Sequence, residues 1–563
     1  MKSQATSHSG MKSLIAALLV ALAPLAAHAA TPDAGSIMQQ IKPVTPQVPS
    51  STGTGLTIER EGGAKLPPSA PFIVTTIQIT GNTLFDTATL HGLVADAEGK
   101  TLTLSNLDDL ASRITDYYHN HGYPLARAYI PAQTIKDGIV RVEIIEARYG
   151  KVKLDNSSRV NGLLLERTLS SLKGEQPISQ AGMDRALLLL SDIPGVEVNA
   201  TLKPGESVGT SDLMVTTTPG QAVAGNVVLD GYGNRYTGRL RASGSATFNN
   251  PFHHGDYLGL NVLTSGSGMS YGRVAYDTLL DGCGTHLGGA YSSMHYALGD
   301  TLASLNGHGT AQVSSLWAKH PFKRGREVNL YGQIQVDQMQ LRDHIDATGI
   351  QTDRHLDNWT ASLSGDVRDT LMSVDAVNTW NVGRTLGRVA FDNAAAQLAA
   401  AATTKIEGSF SKWNANVSRQ QGLSQRNTLY LNAAAQGTNG NLDSSQKMSA
   451  GGPSTVRAYD TGAVSGDTGY QFTAEIRHDL GQMWQGQWQA VAFFDSANVT
   501  VNKNVWVAGA NSATLSGAGL GLNWAGAAQW SAKAYVAAPV GSTPVLVASN
   551  PSARAWVEIG KGF

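Results

Sequence analysis

From about Pro219 to the C-terminus the sequence repeats one pattern: apolar and polar residues alternate over about ten positions, then a turn rich in Gly, Asn, Asp or Pro follows. Leu330, Gly332, Ile334 and Val336 alternate with Tyr331, Gln333, Gln335 and Asp337, and Trp488, Ala490, Ala492 and Phe494 with Gln489, Val491, Phe493 and Asp495. A period of two belongs to strands, and helical spacing is missing from this part of the chain. A strand crosses a bilayer in about 9–11 tilted residues, with lipid-facing and lumen-facing side chains in alternation. Strands of soluble sandwiches average about five or six residues. The pattern therefore predicts a transmembrane β-barrel, with a soluble barrel as the alternative.

Sixteen such segments can be counted, starting near 222, 237, 255, 269, 283, 306, 327, 357, 374, 404, 424, 468, 485, 512, 528 and 553. An even number is the rule for single-chain bacterial barrels, which also have short periplasmic turns and long outer loops. Connections after even-numbered segments are short here, as at Asn249 to Gly255, His320 to Arg326 and Gly481 to Gly486. Long ones follow odd-numbered segments: Leu341 to Leu356, Val389 to Thr403 and Gly437 to Asp467. The final residue, Phe563, ends a segment from Ala553 that is expected to pair with the first and to carry the C-terminal strand signal.

The rest of the chain divides into four parts. Lys2 and Lys12, the apolar run Leu14 to Ala27 and the site Ala27-His28-Ala29 read as a secretory signal peptide, residues 1–29. Residues 30–70 form a linker with Pro43, Pro46, Pro49 and Pro67-Pro68, and one short amphipathic helix is expected from Asp33 to Lys42. Residues 71–147 read as a compact α+β unit. Ile73 to Ile79 is a strand, Ser105 and Asp108 cap a helix with Leu107, Leu110, Ile114 and Tyr117 on one face, and strands follow at Leu125 to Ile130 and Ile139 to Ile145. Residues 148–220 repeat that plan, with strands at Lys151 to Leu154, Val196 to Leu202 and Leu213 to Thr218 and helices between them. Residues 221–563 are the barrel.

Composition excludes several function classes. The 42 basic and 43 acidic residues balance, which argues against nucleic acid as a partner. One cysteine, Cys283, leaves no disulfide framework and no cysteine-based metal site. The histidines lack metal-ligand spacing, so no metal and no cofactor are expected. Gly268-Met269-Ser270-Tyr271-Gly272 matches a nucleophile elbow, but that motif needs a strand–turn–helix and here it falls at a barrel hairpin. Gly517, Gly519 and Gly521 resemble a dinucleotide fingerprint only superficially, since alternate glycines in a strand allow close packing inside a barrel. No catalytic residue is assigned and no enzyme is expected.

The longest loop carries Gly451-Gly452-Pro453-Ser454-Thr455-Val456-Arg457-Ala458-Tyr459, a run of turn formers followed by an Arg between bulky neighbours. Asp495 falls in the thirteenth segment, on the face of Gln489 that is read as the lumen side. Arg457 on an infolded loop could meet it in a bidentate pair, or both could be surface residues.

Together these features resemble the two-partner secretion transporters of the TpsB type, relatives of haemolysin and filamentous-haemagglutinin transporters within the POTRA-barrel superfamily. The family pattern runs through Gly122-Tyr123-Pro124-Leu125-Ala126-Arg127, Ile130-Pro131-Ala132-Gln133 and Asp137-Gly138 in the first unit. Its loop signature Val-Arg-Gly-Tyr is matched by Val456, Arg457, Ala458 and Tyr459, and its Phe-x-Asp by Phe493-Phe494-Asp495. The resemblance implies two POTRA domains before a sixteen-stranded outer-membrane barrel, and an infolded loop whose Arg457 pairs with Asp495 beside Phe493. Two departures stand out. Ala458 replaces the family Gly, which would be strained if the backbone there needs a positive φ. The helix at Asp33 to Lys42 is short for one that plugs a barrel.

The function implied is export of a large TpsA-type exoprotein across the outer membrane of a Gram-negative bacterium, with the POTRA domains in the periplasm and no chemistry done on the cargo. Strand addition is the available capture physics, with Leu125, Arg127, Tyr129 and Ile130 in the first unit and Val196 and Val198 in the second as contact candidates. Outer-membrane lipid and, during biogenesis, the barrel-assembly machinery are the other expected partners. The alternative is a factor that assembles or inserts other outer-membrane proteins.

Overall fold

The computed structural model describes residues 31–41, 56–58, 69–172, 176–371, 374–548 and 552–563. The expected signal peptide and most of the Pro-rich linker lie outside the described residues. Two parts of the linker are described: the helix α1 (Ala34–Gln40) and the strand β1 (Leu56–Ile58). The carboxylate of Asp33 caps α1 by accepting from the Ser36 amide at 2.9 Å, which satisfies one of the free donors of the first turn.

The first α+β unit contains β2 (Phe72–Ile73), β3 (Thr76–Thr80), α2 (Thr87–Gly92), β4 (Thr101–Leu102), α3 (Leu104–Asn120), β5 (Arg127–Tyr129) and β6 (Ile139–Ile145). Its main sheet has the order β3-β6-β5. The N-cap of α3 is Thr103, two residues before the expected Ser105, because Thr103 and Asn106 form a reciprocal capping box. Leu107, Leu110, Ala111, Ile114 and Tyr118 bury one face of it against Ile77, Val140, Val142 and Ile144 of the sheet.

The second unit holds β7 (Arg148–Asn156), α4 (Gly162–Leu169), α5 (Gln180–Ser191), β8 (Val196–Pro204) and β9 (Thr210–Pro219). Leu165, Met183, Leu187 and Leu190 pack on Ala200, Leu202, Leu213 and Val215. The sheet order is β1-β8-β9-β7, so a strand from the linker forms one edge.

The remaining elements build the barrel. They are β10 (Val223–Asp230), β11 (Arg241–Asn249), β12 (Tyr257–Thr264), β13 (Met269–Leu279), β14 (His286–Ala297), β15 (Gly307–Lys323), β16 (Val328–Ile345), β17 (Ile350–Asp369), β18 (Ala376–Phe391), α6 (Ala394–Ala402), β19 (Gly408–Gly422) and β20 (Asn427–Thr438). After them come β21 (Met448–Ala450), β22 (Val464–Gly466), β23 (Thr468–Met483), β24 (Gly486–Thr500), β25 (Ser512–Gly526), β26 (Trp530–Pro539) and β27 (Arg554–Gly562). Strands β10 to β20 and β23 to β27 close into one antiparallel barrel of sixteen, while β21 and β22 pair separately. The closing pair matches Asn226–Asp230 with Glu558–Gly562, and Gly225 and Phe563 exchange backbone hydrogen bonds at 3.0 and 3.1 Å. Closure leaves the barrel without a free edge.

Ile334, Leu316, Leu363, Val417, Ile476 and Leu520 point outward and are exposed, as a lipid-facing band requires. Gln335, on the opposite face from Ile334, donates to Asp337 in the lumen at 2.8 Å. One expected loop is absent. Leu341 to Leu356 is almost all strand, with only residues 346–349 between β16 and β17. Arg342, His344, Asp353 and His355 resemble loop composition, but they alternate with Leu341, Asp343, Arg354 and Leu356, which are buried inside the barrel. The wall here therefore continues as paired strand, and its outer face carries Arg342, His344, Asp353 and His355.

The second α+β unit is seated on the short turns at one end of the barrel. Arg324, after β15, forms a bidentate pair with Asp192 at 2.7 and 2.8 Å. Arg326 meets Asp184 at 2.7 Å, and Arg185 donates to the Pro321 carbonyl at 3.1 Å. The side chain of Arg324 is only 2% exposed, so this contact is built into the junction rather than lying on its rim.

Candidate functional site

The barrel interior holds two inserted pieces, α1 and the hairpin between β20 and β23. Each is fixed by one buried arginine.

Helix α1 lies within the lumen toward the end opposite the α+β units. Ala34, Ile37 and Ile41 join a cluster with Met294, Tyr296, Leu341, Leu356 and Phe410 of the wall. Burial of these side chains gives a seven-residue helix the support that propensity alone could not supply. Its N-terminus is pinned by Arg354, which is 2% exposed. The Arg354 guanidinium donates to Asp33 at 2.9 Å, to Asp343 at 2.7 Å and to the carboxylate of Asp443. Asp343 also accepts from the Ala34 amide at 2.7 Å and the Tyr296 hydroxyl at 2.6 Å, and Ser444 donates to Asp33 at 2.6 Å. Three carboxylates around one guanidinium leave an excess of negative charge, and Asp33 is the member contributed by the helix.

The hairpin reaches the wall on the other side. Gly451 and Gly452 take φ of +100° and +109°, which only glycine adopts readily, and they turn the chain toward the barrel wall. The structure places Val456, Ala458 and Tyr459 in a buried cluster with Val491 and Phe493 of β24, and Arg457 between them is buried as well. Nε and Nη2 of Arg457 each lie 2.8 Å from a different carboxylate oxygen of Asp495, and the Arg457 amide donates to the same carboxylate at 3.1 Å. Thr473 adds a hydrogen bond to Asp495 at 3.0 Å. The third guanidinium nitrogen of Arg457 pairs with Glu475 at 2.8 Å, and its carbon lies 3.4 Å from the Phe493 ring centroid. Phe493 is thus a stacking platform for the arginine. Charge-assisted bidentate geometry of this kind fixes orientation as well as supplying energy.

Ala458 is fully buried, and its φ is not positive. The strain that alanine would have met in a left-handed conformation does not arise. Space is made by Gly517 on β25, where an added Cβ would collide with the Ala458 Cβ.

The same hairpin ties together the two strands that close the barrel. Trp556 of β27 donates to the Arg457 carbonyl at 2.7 Å, Arg554 pairs with Asp460, and Arg239 meets Asp460 at 2.8 Å. Thr461 donates to the Tyr232 carbonyl at 2.8 Å, just after β10. Sequence reading missed these partners and the whole Arg354 cluster, whose members come from positions 33, 343, 354 and 443.

Between α1, the hairpin and the wall there remains a lumen cavity of about 1050 Å³, lined among others by Asn226, Arg241, Asn414, Glu475, Arg477 and Lys533. Both signs of charge face it, and no metal-ligand cluster occurs among the described residues. Gly268 to Gly272 sits at the start of β13 with no helix following.

At the periplasmic end the capture candidates separate. Arg127 and Tyr129 lie on β5, one edge of the first unit's sheet, where the Ala128 amide donates to Thr115 of α3 at 3.0 Å. Leu125 packs instead against the core of the second unit, and Ile130 against that of the first. Val196 and Val198 lie on β8, whose outer edge is partly occupied by β1.

Residues 209–524 match the family described as haemolysin secretion/activation protein ShlB/FhaC/HecB, and residues 72–147 match the ShlB-type POTRA domain. The heme/hemopexin transporter protein HuxB of Haemophilus influenzae strain 86-028NP is 26% identical over 519 residues, 90% of this chain and 91% of that protein. The outer membrane transporter CdiB of Escherichia coli is 25% identical over 79% of this chain and 77% of its own length. In fold, the chain is similar to the solved structure of CdiB from Escherichia coli, with a TM-score of 0.71 at 20% identity over all of both chains. CdiB from Acinetobacter baumannii gives 0.62 at 17% identity over 98% of this chain and 97% of that one.

Proposed function

The chain belongs to the haemolysin secretion/activation protein family, two-partner secretion transporters of the outer membrane, and on that premise we propose how its barrel exports a TpsA-type exoprotein. The observation that carries the reading is the lumen itself: two inserted elements fill it, and they are held in different ways.

The hairpin is bound by a closed network around Arg457, with Asp495, Glu475, Phe493 and Trp556 all satisfied. Removing one member of such a buried network costs about 3–5 kcal/mol. The hairpin therefore stays as an anchor while cargo passes. Helix α1 is the removable piece. It is short, and its Asp33 shares one arginine with Asp343 of the wall and Asp443 of the segment between β20 and β23, both of which remain when it leaves. With α1 in place the cavity is too divided for a chain to pass, and with α1 withdrawn the polar lumen wall faces an extended polypeptide.

Residues 148–220 act in this reading as a second POTRA domain, seated on the barrel turns by Arg324 and Asp192. Cargo emerging in the periplasm adds as a strand to the sheets of the two units and is handed to the lumen. Folding outside the cell supplies the directional bias, since no nucleotide is consumed. That relatives are named as heme/hemopexin and hemolysin transporters supports a secreted protein as the cargo. Outer-membrane lipid surrounds the apolar band, and the barrel-assembly machinery inserts the barrel through its terminal strand ending at Phe563.

The test is export of the exoprotein encoded beside this gene, in cells with and without the transporter. Cargo should reach the medium or cell surface only when the transporter is present. Cargo retained in the periplasm beside a correctly inserted barrel would overturn the reading and favour an assembly role.

A further inference from the structure

Arg384 stands on the lipid side of the wall. Register sets it level with Ile334, Ala361 and Trp413 of the neighbouring strands, and Val382 and Leu386 flank it on the same face of β18. Ile334, Trp413, Val382 and Leu386 are exposed members of the outward apolar band, and Arg384 is exposed among them. The next outward rung up holds Val336, Trp359, Leu386 and Ser411, and the one above it Gln338, Asp357, Arg388 and Ser409, so the apolar face ends between Leu386 and Arg388. Depth follows from strand geometry. Val328, Val367 and Asn378 share a rung near the periplasmic end. Counted from there, a rise of about 3.3 Å per residue on a strand tilted about 40° puts Arg384 roughly 15 Å and Arg388 roughly 25 Å up a band about 25 Å tall. Two exposed tryptophans, Trp359 and Trp413, lie at this depth, as interfacial aromatics do. A charge facing lipid costs most at the mid-plane and little near the interfaces, so an arginine here is stable when its head lifts toward the headgroups and meets an anion. Outward cations lower on the wall have partners in the protein: Arg419 pairs with Asp369 at 2.8 Å, and Lys561 donates to the Gly562 carbonyl at 2.9 Å. The side chain of Arg384 makes no ion pair or hydrogen bond among the described residues.

We propose that Arg384, with Arg388 above it, docks the phosphate of an anionic lipid in the outer leaflet. A guanidinium donates to two phosphate oxygens at once, so one arginine both binds and orients the headgroup. Asp357, in register with Arg388, offsets part of that residue's charge, which makes Arg384 the principal contact. The acyl chains then lie along Val382 and Leu363 below it, both exposed. Ser409 and Ser411 of β19 are small and leave room beside the two arginines. The occupant is a membrane lipid and not a soluble anion, because Arg384 lies inside the apolar band. Strand β18 is the ninth of the sixteen, half-way round the wall from the β10–β27 closing pair, and its neighbour β17 carries Arg354 on the inner face. A lipid held here fixes the depth of the wall against which α1 is pinned. The inference needs only the outer-membrane placement and is independent of what the barrel exports.

The full chain, purified in a neutral detergent, is unfolded by heat with added diphosphoryl lipid A, and the midpoint is read from its heat-modifiable gel mobility. Lipid A stripped of its phosphates and inorganic phosphate are the two controls. Diphosphoryl lipid A should raise the midpoint of the parent by about 5 °C more than the stripped form does. Inorganic phosphate should not raise it. Arg384→Leu should lose most of the phosphate-dependent rise and Arg388→Ser a smaller part, while Arg384→Lys should keep about half of it. Without lipid, Arg384→Leu should unfold at or above the temperature of the parent, because leucine suits the band, and this separates lost docking from failed folding. Equal rises in the parent and Arg384→Leu, or no phosphate-dependent rise in the parent, would overturn the proposal. So would a rise with inorganic phosphate alone, which would make this a position for free anions. A lower midpoint of Arg384→Leu without lipid would overturn it too, since the protein itself would then be holding the arginine.

Discussion

The methyl group of Ala458 fills the space that Gly517 leaves open on the facing strand. The two positions work as a complementary pair. A side chain on the hairpin tip is accommodated because the wall has none, and the tip keeps an ordinary backbone conformation. Of the alternate glycines of β25 only Gly517 meets the hairpin: an added side chain at Gly519 would meet Phe493 of β24, and one at Gly521 would meet Tyr535 of β26, both on the neighbouring wall strands.

This pairing predicts an asymmetric response to mutation. Gly517→Val should displace the hairpin and reduce export at least tenfold, whereas Ala458→Gly should leave export within about twofold of the parent. The double variant Gly517→Ala/Ala458→Gly should recover most of what Gly517→Ala loses, measured by export in cells. Equal tolerance of Gly517→Val would show that the tip is not seated there.

Arg457→Ala removes the bidentate pair with Asp495 and leaves that carboxylate buried without its cation, while Glu475 keeps Arg477 at 2.7 Å. Export should fall strongly, while the heat-modifiable gel mobility of the inserted barrel should change little, because closure depends on the β10–β27 strand pairing. Exchanging the charges, Arg457→Asp with Asp495→Arg, should rescue only in part, since Glu475 would then face a second carboxylate. If neither single change affects export, the anchor role is wrong.

Asp33→Asn weakens the hold of Arg354 on α1 without altering the wall. In planar bilayers the variant should spend more time in open, conducting states than the parent. Arg354→Ala should open the channel further but also leave Asp343 and Asp443 uncompensated, so its barrel should be less stable to heat. Conductance in both variants equal to that of the parent would mean that α1 does not block the pore.

At the periplasmic side, Arg324→Ala should loosen the second unit from the barrel turns. Amide exchange at the C-terminal end of α5 and in residues 324–327 should rise together, by a common factor, because one bidentate pair holds both. Exchange rising only in the mutated turn would contradict a shared junction.

Glu146 gives the first unit a pH dependence. Burial opposes its charge, but hydrogen bonds from the Thr83 side chain, the Leu84 and Thr83 amides and the Tyr118 hydroxyl outweigh that and hold its pKa below the usual 4.5. A depressed carboxylate pKa stabilises the fold above the unfolded value, and that contribution is lost as pH falls through the lower, folded value. Amide protection around residues 82–85 should therefore decline as pH drops below 4.5, and Glu146→Gln should flatten the dependence. An unchanged profile in that variant would assign the effect elsewhere.

Much of this architecture was legible from local pattern. Strand alternation located most of the sixteen strands to within about four residues, since each strand carries its own period-two record of the two sides of the wall. The hairpin and β24 were also legible, because glycines and a proline mark the turn and Asp495 falls on the lumen-facing parity. The missed features are those whose cause is distant in sequence. Residues 341–356 look like a loop by composition, and only the lumen contacts of Asp343 and Arg354 reveal them as wall. Asp33 meets a partner 321 positions away, and Leu56–Ile58 is a strand only because β8 offers an edge. A three-residue segment has no periodicity to read.

The central claim is that the exported chain passes through this lumen. The most direct measurement places a photo-crosslinking residue at lumen-facing Asn414 or Asn523, beside the cavity, and arrests export with a cargo fused to a tightly folded domain. The account predicts covalent adducts between barrel and cargo at both positions, absent when the crosslinker is moved outward to Leu316 or Ile334. Adducts at the outward positions, or none inside the lumen while export proceeds, would contradict it.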